Sequence, residues 1–167
     1  MRFTLMLGIG GHEDYIAVAQ AAEESGWATI SVTESEYPYS DHEMIRGFLE
    51  VSPFIEPIVA MSFMAAATKK IRFCCGVMKV PMRQPLILAK QLSSLAVMSG
   101  ERLDFGAGIS PWKEDFTYNG VPFEKRGERF DEVIGIIRDA MKGEYFEHHS
   151  GNYNFAPLRL CPVPKKP

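Results

Sequence analysis

Gly76 is the first residue whose type and position suggest chemistry. It stands near the end of an apolar run, Ile71 to Met78, that Pro81 and Pro85 bring to a close. Glycine inside a strand marks a bulge, or a point where a ligand or another backbone comes close. A core strand with a tight exit accounts for it as well. The second candidate is Glu34, which follows the strand-like run Thr29–Thr33. A carboxylate at a strand exit can accept or give a proton, or bond a ligand edge, if it lies within reach of the reacting group. Its plainer reading is a capped or solvated loop acid. A third feature is the pair Gly106 and Gly108 in LDFGAGI. Other motifs are weaker. GIGGHED, residues 8–14, lacks the third glycine of a dinucleotide fingerprint. His148 and His149 are adjacent and lack metal-ligand spacing.

The elements that must hold these residues alternate between two periods. Phe3–Ile9 reads as a buried first strand, with Gly8, Gly10 and Gly11 at its exit. A helix opens near His12, with Glu13 and Asp14 in its first turn, Ile16, Ala19, Ala22 and Glu23 at helical spacing, and Ser25-Gly26 at its end. Thr29–Thr33 is the second strand. A long loop follows to about Ser52, with helix around Asp41–Leu49. Pro57 starts the next helix, which runs to Thr68 with Lys69-Lys70 at its negative end. The run from Ile71 has no consistently polar face, so it reads as a strand buried on both sides. Leu86–Met98 is a helix with Leu88, Leu92, Leu95 and Ala96 inward. Leu103–Ile109 is a fourth strand. Ser110 then caps a short helix with Pro111 at its first position, and Asn119-Gly120 ends it. Phe130, Val133, Ile134, Ile137 and Met141 mark a long amphipathic helix closed by Gly143. A hairpin follows: Tyr145–His148, a Ser-Gly-Asn turn, Tyr153–Phe155, then Leu158–Leu160. Trp112 and Phe116 read as packing residues. Alternation of this kind means α/β, a parallel sheet with helices outside. Ligands in such folds bind at the carboxyl ends of the strands. A site would therefore lie partly over Gly76–Met78.

Composition narrows the partners. The chain has 167 residues, a net charge of −3 and 46% hydrophobic residues, which suit one domain with a real core. No Lys/Arg cluster is long enough for a polyanion footprint, so nucleic acid is disfavoured. No run is long enough to cross a bilayer, and the first residues read as a strand, not a secretory signal. Three cysteines without framework spacing point to reduced thiols and a cytoplasmic protein. Cys74 and Cys75, being neighbours in a strand, should face opposite ways.

Four stretches together resemble the bacterial-luciferase-like flavin-dependent oxidoreductases, which include FMN monooxygenases and enzymes of the deazaflavin coenzyme F-420. They are AEESGWATISVTE; the run from Ala67 to Ile109; WKEDFTYNGVPFEKRGERFDEVI; and GNYNFAPLRLCPVPKKP. The resemblance implies a TIM barrel, of which this chain would supply the first four β/α units (residues 1–143) and a hairpin with its tail (144–167). A barrel typically needs about 250 residues. The half barrel would thus be a piece of a longer chain, pair with another copy, or be completed by a second chain. The family's flavin lies over the strands' carboxyl ends. There the third-strand exit often carries a bulge with a non-prolyl cis peptide under the ring, and Gly76, Val77 and Met78 match that place. Gly106 and Gly108 match glycines that leave room for cofactor, with strand crowding as the alternative. Glu34 matches the acid at the second-strand exit, where Ser35 stands in place of the family's histidine. Arg126 and Glu132 match a helix-start motif, read here as ion pairing. The resemblance implies oxidation of a small organic substrate by reduced FMN and oxygen, or hydride transfer through deazaflavin, or a non-catalytic half barrel. Expected partners are the substrate, a flavin reductase and a further copy of the chain. A phosphate anchor from the loops after the seventh and eighth strands falls outside these four strands.

Overall fold

The computed structural model describes residues 2–7, 14–35, 43–51 and 54–166. Elements follow in the order β1 (Thr4–Leu7), α1 (Tyr15–Glu24), β2 (Thr29–Val32), α2 (Glu43–Glu50), α3 (Pro57–Ala67), β3 (Arg72–Cys75), β4 (Met78–Lys79), a 3-10 turn at Val80–Met82, α4 (Pro85–Met98), β5 (Leu103–Asp104), β6 (Ala107–Gly108), α5 (Lys113–Tyr118), α6 (Arg126–Met141), β7 (Phe146–His149) and β8 (Asn154–Leu158). Strands β1, β2, β3 and β5 form one parallel sheet in chain order. Strands β4 and β6 pair in parallel just beyond β3 and β5. Strands β7 and β8 are an antiparallel hairpin. The alternating β/α reading is therefore correct, and its four strand regions are β1, β2, β3–β4 and β5–β6.

Side chains alternate across a strand, and the register sorts the sheet into two faces. Leu5, Ile30, Phe73 and Leu103 share one face with Leu7, Val32 and Cys75. These meet Ala19 and Ala22 of α1, Met61 and Met64 of α3, Leu88 and Leu92 of α4, and Val133 and Ile137 of α6 in a single core. Thr4, Met6, Thr29, Ser31, Arg72, Cys74 and Asp104 lie on the other face. No described helix covers that face, and Met6 is 60% exposed.

That open face corrects two expectations. The first strand is an edge strand with alternating exposure, not a buried one. The third strand is not buried on both sides: Arg72 and Cys74 are half-buried, while Phe73 and Cys75 are enclosed. Cys74 and Cys75 do point to opposite faces, and all three cysteines are free thiols.

Several boundaries also moved. Pro57 opens α3 as expected, with Glu56 as the N-cap whose carboxylate accepts the Val59 N–H at 2.8 Å. Lys69 and Lys70 lie past its end, and their backbone N–H groups go to Glu23 instead. Ile16 is largely exposed, so the inward row of α1 is Ala19 and Ala22. Helix α6 begins at Arg126, earlier than its apolar row. The fourth strand is split into β5 and β6 around Phe105-Gly106. Strand β8 is one piece ending at Leu158, where two short strands were expected. Gly26, Gly120 and Gly143 take the positive φ that ends their helices. The exit after β1 (Gly8, Gly10, Gly11), the helix start at His12 and Glu13, and residues 36–42 of the loop after Ser35 lie outside the described residues, while the helix expected around Asp41–Leu49 is α2, Glu43–Glu50.

Candidate cofactor site at the carboxyl ends of the strands

The ladder between β2 and β3 ends where the sequence places Gly76. The Gly76 N–H still donates to Val32 O of β2 at 2.8 Å. The Gly76–Val77 peptide is cis, with no proline involved. The Met78 N–H then donates to Gly106 O, also at 2.8 Å, and β4 continues against β6. So the ladder to β2 ends at Gly76, while the ladder on the other side passes from β3–β5 to β4–β6. Met78 is completely buried, backbone included, and lies beneath this surface. Val77 faces outward at 50% exposure.

Gly106, just before β6, and Gly108 within it are what let the two segments meet. A Cβ on Gly106 would lie 2.0 Å from the Cys75 carbonyl oxygen. One on Gly108 would lie 2.4 Å from Val77 Cγ2. Close approach of backbone accounts for Gly106, as the crowding alternative has it, and the Val77 side chain accounts for Gly108. Gly76 differs: a Cβ there would meet only the Ser31 hydroxyl, at 2.7 Å. The result is a low floor of backbone at the strand ends, with Val77 upon it. Two further exposed apolar side chains follow Gly108 in the chain. Ile109, directly after β6, and Trp112, ahead of α5, are each 43% exposed. Trp112 is thus not a packing residue. Phe116, completely buried and edge-on to Phe123 at 5.3 Å, is one.

Glu34 lies at the exit of β2, but its carboxylate does not look outward. Its side chain is 1% exposed. One oxygen accepts the Lys79 backbone N–H and the other pairs with the Arg83 guanidinium. Arg83 also reaches Glu56 at 3.4 Å. Lys79 in turn pairs through Nζ with Asp115 Oδ2 at 2.8 Å, both side chains being almost fully enclosed. Ser110 Oγ donates to the same oxygen at 2.6 Å and accepts the Trp112 N–H at 3.1 Å. This corrects the expected N-cap. Ser110 takes φ 54° and bonds Asp115, and α5 begins only at Lys113 with Pro111 outside it. Beneath the floor, burial and then the neighbouring Glu34 charge push the Cys75 thiol far above its ordinary range, so it is not a nucleophile.

Arg126 and Glu132 do not pair with one another. Arg126 lies over the Phe123 ring at 3.9 Å and donates to Ser110 O. Glu132 accepts from Ser150 and from Asn152 Nδ2 at 2.7 Å, and meets His148 Nε2 at 2.9 Å. It binds the hairpin to α6. Sequence reading missed Lys79, Arg83, Ser110 and Asp115. A usable signal existed for Lys79: a lysine inside a buried apolar run requires a buried partner. Among the described residues no helix is long and apolar enough to cross a membrane.

A half barrel of parallel β/α units, with one sheet face uncovered by any described helix and glycines at its strand exits, is the class of protein this structure defines. The model of the luciferase-like monooxygenase family matches residues 3–167, and the chain belongs to that family. Over 176 residues it is 38% identical to an uncharacterised protein of Mycobacterium tuberculosis (strain H37Rv), covering all of this chain and 61% of that protein. The F420-dependent glucose-6-phosphate dehydrogenase of Tsukamurella paurometabola is 23% identical, covering 94% of this chain and 46% of its own length. The FMNH2-dependent dimethylsulfone monooxygenase of Pseudomonas putida is 26% identical, covering 88% and 39%. Among solved structures, the monooxygenase RslO1 of Streptomyces bottropensis superposes with a TM-score of 0.82 at 24% identity, over 98% of this chain and 50% of that one. The chain thus spans 61% or less of the length of each of these relatives.

Proposed function

We propose that the protein is a flavin-dependent oxidoreductase whose cofactor ring lies on the floor made by Gly76, Val77, Gly106 and Gly108. One observation carries this reading: in a family of oxidoreductases, this chain's only outward side chain on that floor, among the described residues, is the apolar Val77 over a surface of backbone. A planar, largely apolar ring system suits such a surface. A Cβ on Gly106 would force the two segments apart, and one on Gly108 would push the Val77 side chain aside. Ile109 and Trp112 would offer apolar contact at the ring edge or to the substrate. Glu34 has its oxygens on Lys79 and Arg83, so its part is to hold the floor's position. When bound, the reduced flavin would supply two electrons to dioxygen, one oxygen atom of which would enter a small organic substrate while the other leaves as water, and the protein would orient the ring and exclude bulk water.

Two cofactors are compatible with the relatives, one of which is named for FMNH2 and another for F420. We favour FMN and oxygenation, since Ser35 stands where an F-420 enzyme's histidine was expected and imidazole is the usual proton carrier near neutral pH. A reductase would then supply reduced FMN. We place the protein in the cytoplasm, as a homo-oligomer or as part of a longer chain that completes the barrel.

A fluorescence titration of the purified protein with FMN and, in parallel, with F420 tests this. Saturable binding of FMN, at least tenfold tighter than F420, is the expected result. Preference for F420 would replace oxygenation by hydride transfer. No binding of either would overturn the reading for this chain.

A further inference from the structure

Lys79 sits between Met78 and Val80, both completely buried. It is gripped from two sides. Its backbone N–H is held by Glu34, from the exit of β2. Its ammonium is held by Asp115, from the segment after β6, at 2.8 Å. Asp115 is fixed in turn by the Ser110 hydroxyl at 2.6 Å. Glu34 is fixed by Arg83, four residues beyond Lys79. A chain of charged hydrogen bonds therefore runs from one strand exit to the next, and Lys79 is its middle link. Met78 and Lys79 are also the residues that pair with Ala107 and Gly108 in the β4–β6 ladder.

Buried ion pairs are poor stabilisers. The cost of taking two charges out of water offsets their attraction, and apolar side chains of similar size often serve stability as well or better. Their strength is directional: inside a protein a charged hydrogen bond is strong, and a displaced partner is left unsatisfied at high cost. A pair placed at the edge of a backbone floor thus fixes where that floor lies.

We propose that Lys79 is the positioning residue of the candidate cofactor floor. Through Glu34 on its backbone and Asp115 on its side chain, the three strand exits move as one body, and Gly76–Val77 is fixed against Gly106–Gly108. The consequence for flavin rests on the function proposed above; the mechanical coupling does not.

The test replaces the pair by apolar side chains of similar length, Lys79→Met with Asp115→Leu, and follows hydrogen exchange by mass spectrometry. Peptides over residues 74–83 and 103–112 report the floor, and peptides of α6 serve as reference. In the folded double variant, exchange in both floor segments should rise together, at least tenfold in rate, while α6 and the thermal transition hold. FMN affinity should fall at least tenfold. Asp115→Asn keeps the size, loses the charge and applies the same criterion if the double variant does not fold. Unchanged exchange in the floor, or a rise confined to the peptide carrying the substitution, would overturn the proposal. If the unsubstituted protein takes up no FMN, the functional reading fails, and the exchange result alone decides the role of Lys79.

Discussion

At the amino ends of the strands, charges close the structure by binding neutral backbone. Arg102 donates to Thr68 Oγ1 at 2.9 Å and to the carbonyls of Ile71 (3.0 Å), Ala65 (2.7 Å), Thr68 (3.2 Å) and Ser99 (2.5 Å). Glu23 accepts the N–H groups of Lys69, Lys70 and Ile71. Burial alone would raise its carboxyl, but these donors and the Arg102 charge outweigh it and hold Glu23 below its ordinary range. At the carboxyl ends, charge meets charge: Glu34 with Arg83, Lys79 with Asp115. There the neighbouring surface is apolar and exposed. The first arrangement satisfies the loose ends of α3 and α4, which is a stability function. The second costs desolvation and returns geometry, which is what a binding floor requires. In barrels of this kind, residues at the amino ends read as stability and those at the carboxyl ends as function.

The sharpest break in this comparison is at the amino end. Arg102→Ala should cost about 4 kcal/mol, since it strands several carbonyls at once. Urea unfolding measures it. Protein that remains folded should bind flavin as before, and a parallel loss of affinity would erase the distinction between the two ends. Gly106→Ala comes next. Its Cβ would meet the Cys75 carbonyl, which is backbone and cannot step aside, so about 3 kcal/mol is expected together with loss of flavin binding. Gly108→Ala meets only a Val77 methyl, which can rotate, and should cost about 1 kcal/mol.

A third charge network, on Glu132, holds the hairpin to α6 and gives a pH test. Burial would raise the Glu132 carboxyl, but Ser150, Asn152 and His148 overcome it and hold it below its ordinary range. The unfolded carboxylate titrates near pH 4.3, above the folded one. Its contribution is therefore complete at higher pH and fades as pH falls through the folded value. Glu132→Gln should lose about 1 kcal/mol at pH 7 and converge with the unsubstituted protein in acid. Thermal unfolding from pH 7 to pH 3 measures this, and a constant difference would contradict it. The smallest effect on stability belongs to Val77→Asp. Half exposed on the floor, Val77 should change stability by less than about 0.5 kcal/mol, yet the variant should bind flavin at least tenfold more weakly.

How far these ends were legible before the coordinates follows from the kind of signal each carries. The alternation of strand and helix could be read because periodicity and the Gly and Pro punctuation are local. Gly76, Gly106 and Gly108 stood out for the same reason. The networks did not, because their members are far apart in sequence. Glu34 and Lys79 are 45 residues apart, and Arg102 reaches back across 37 to Ala65. The third strand looked buried on both faces because Cys74 and Gly76 count as apolar. Only the missing layer shows that this face is open. Trp112 reads as a packing residue because large aromatics bury much of their surface, whereas it stands 43% exposed ahead of α5, which begins only at Lys113.

The position of flavin on the carboxyl-end floor is tested most directly by a hydrogen-exchange footprint of the protein with saturating FMN against the protein alone. Flavin on the floor should slow exchange in residues 76–79 and 106–109, with Thr68–Arg72 and Ser99–Leu103 at the amino ends unchanged. Protection at the amino ends, with the floor unaffected, would contradict it.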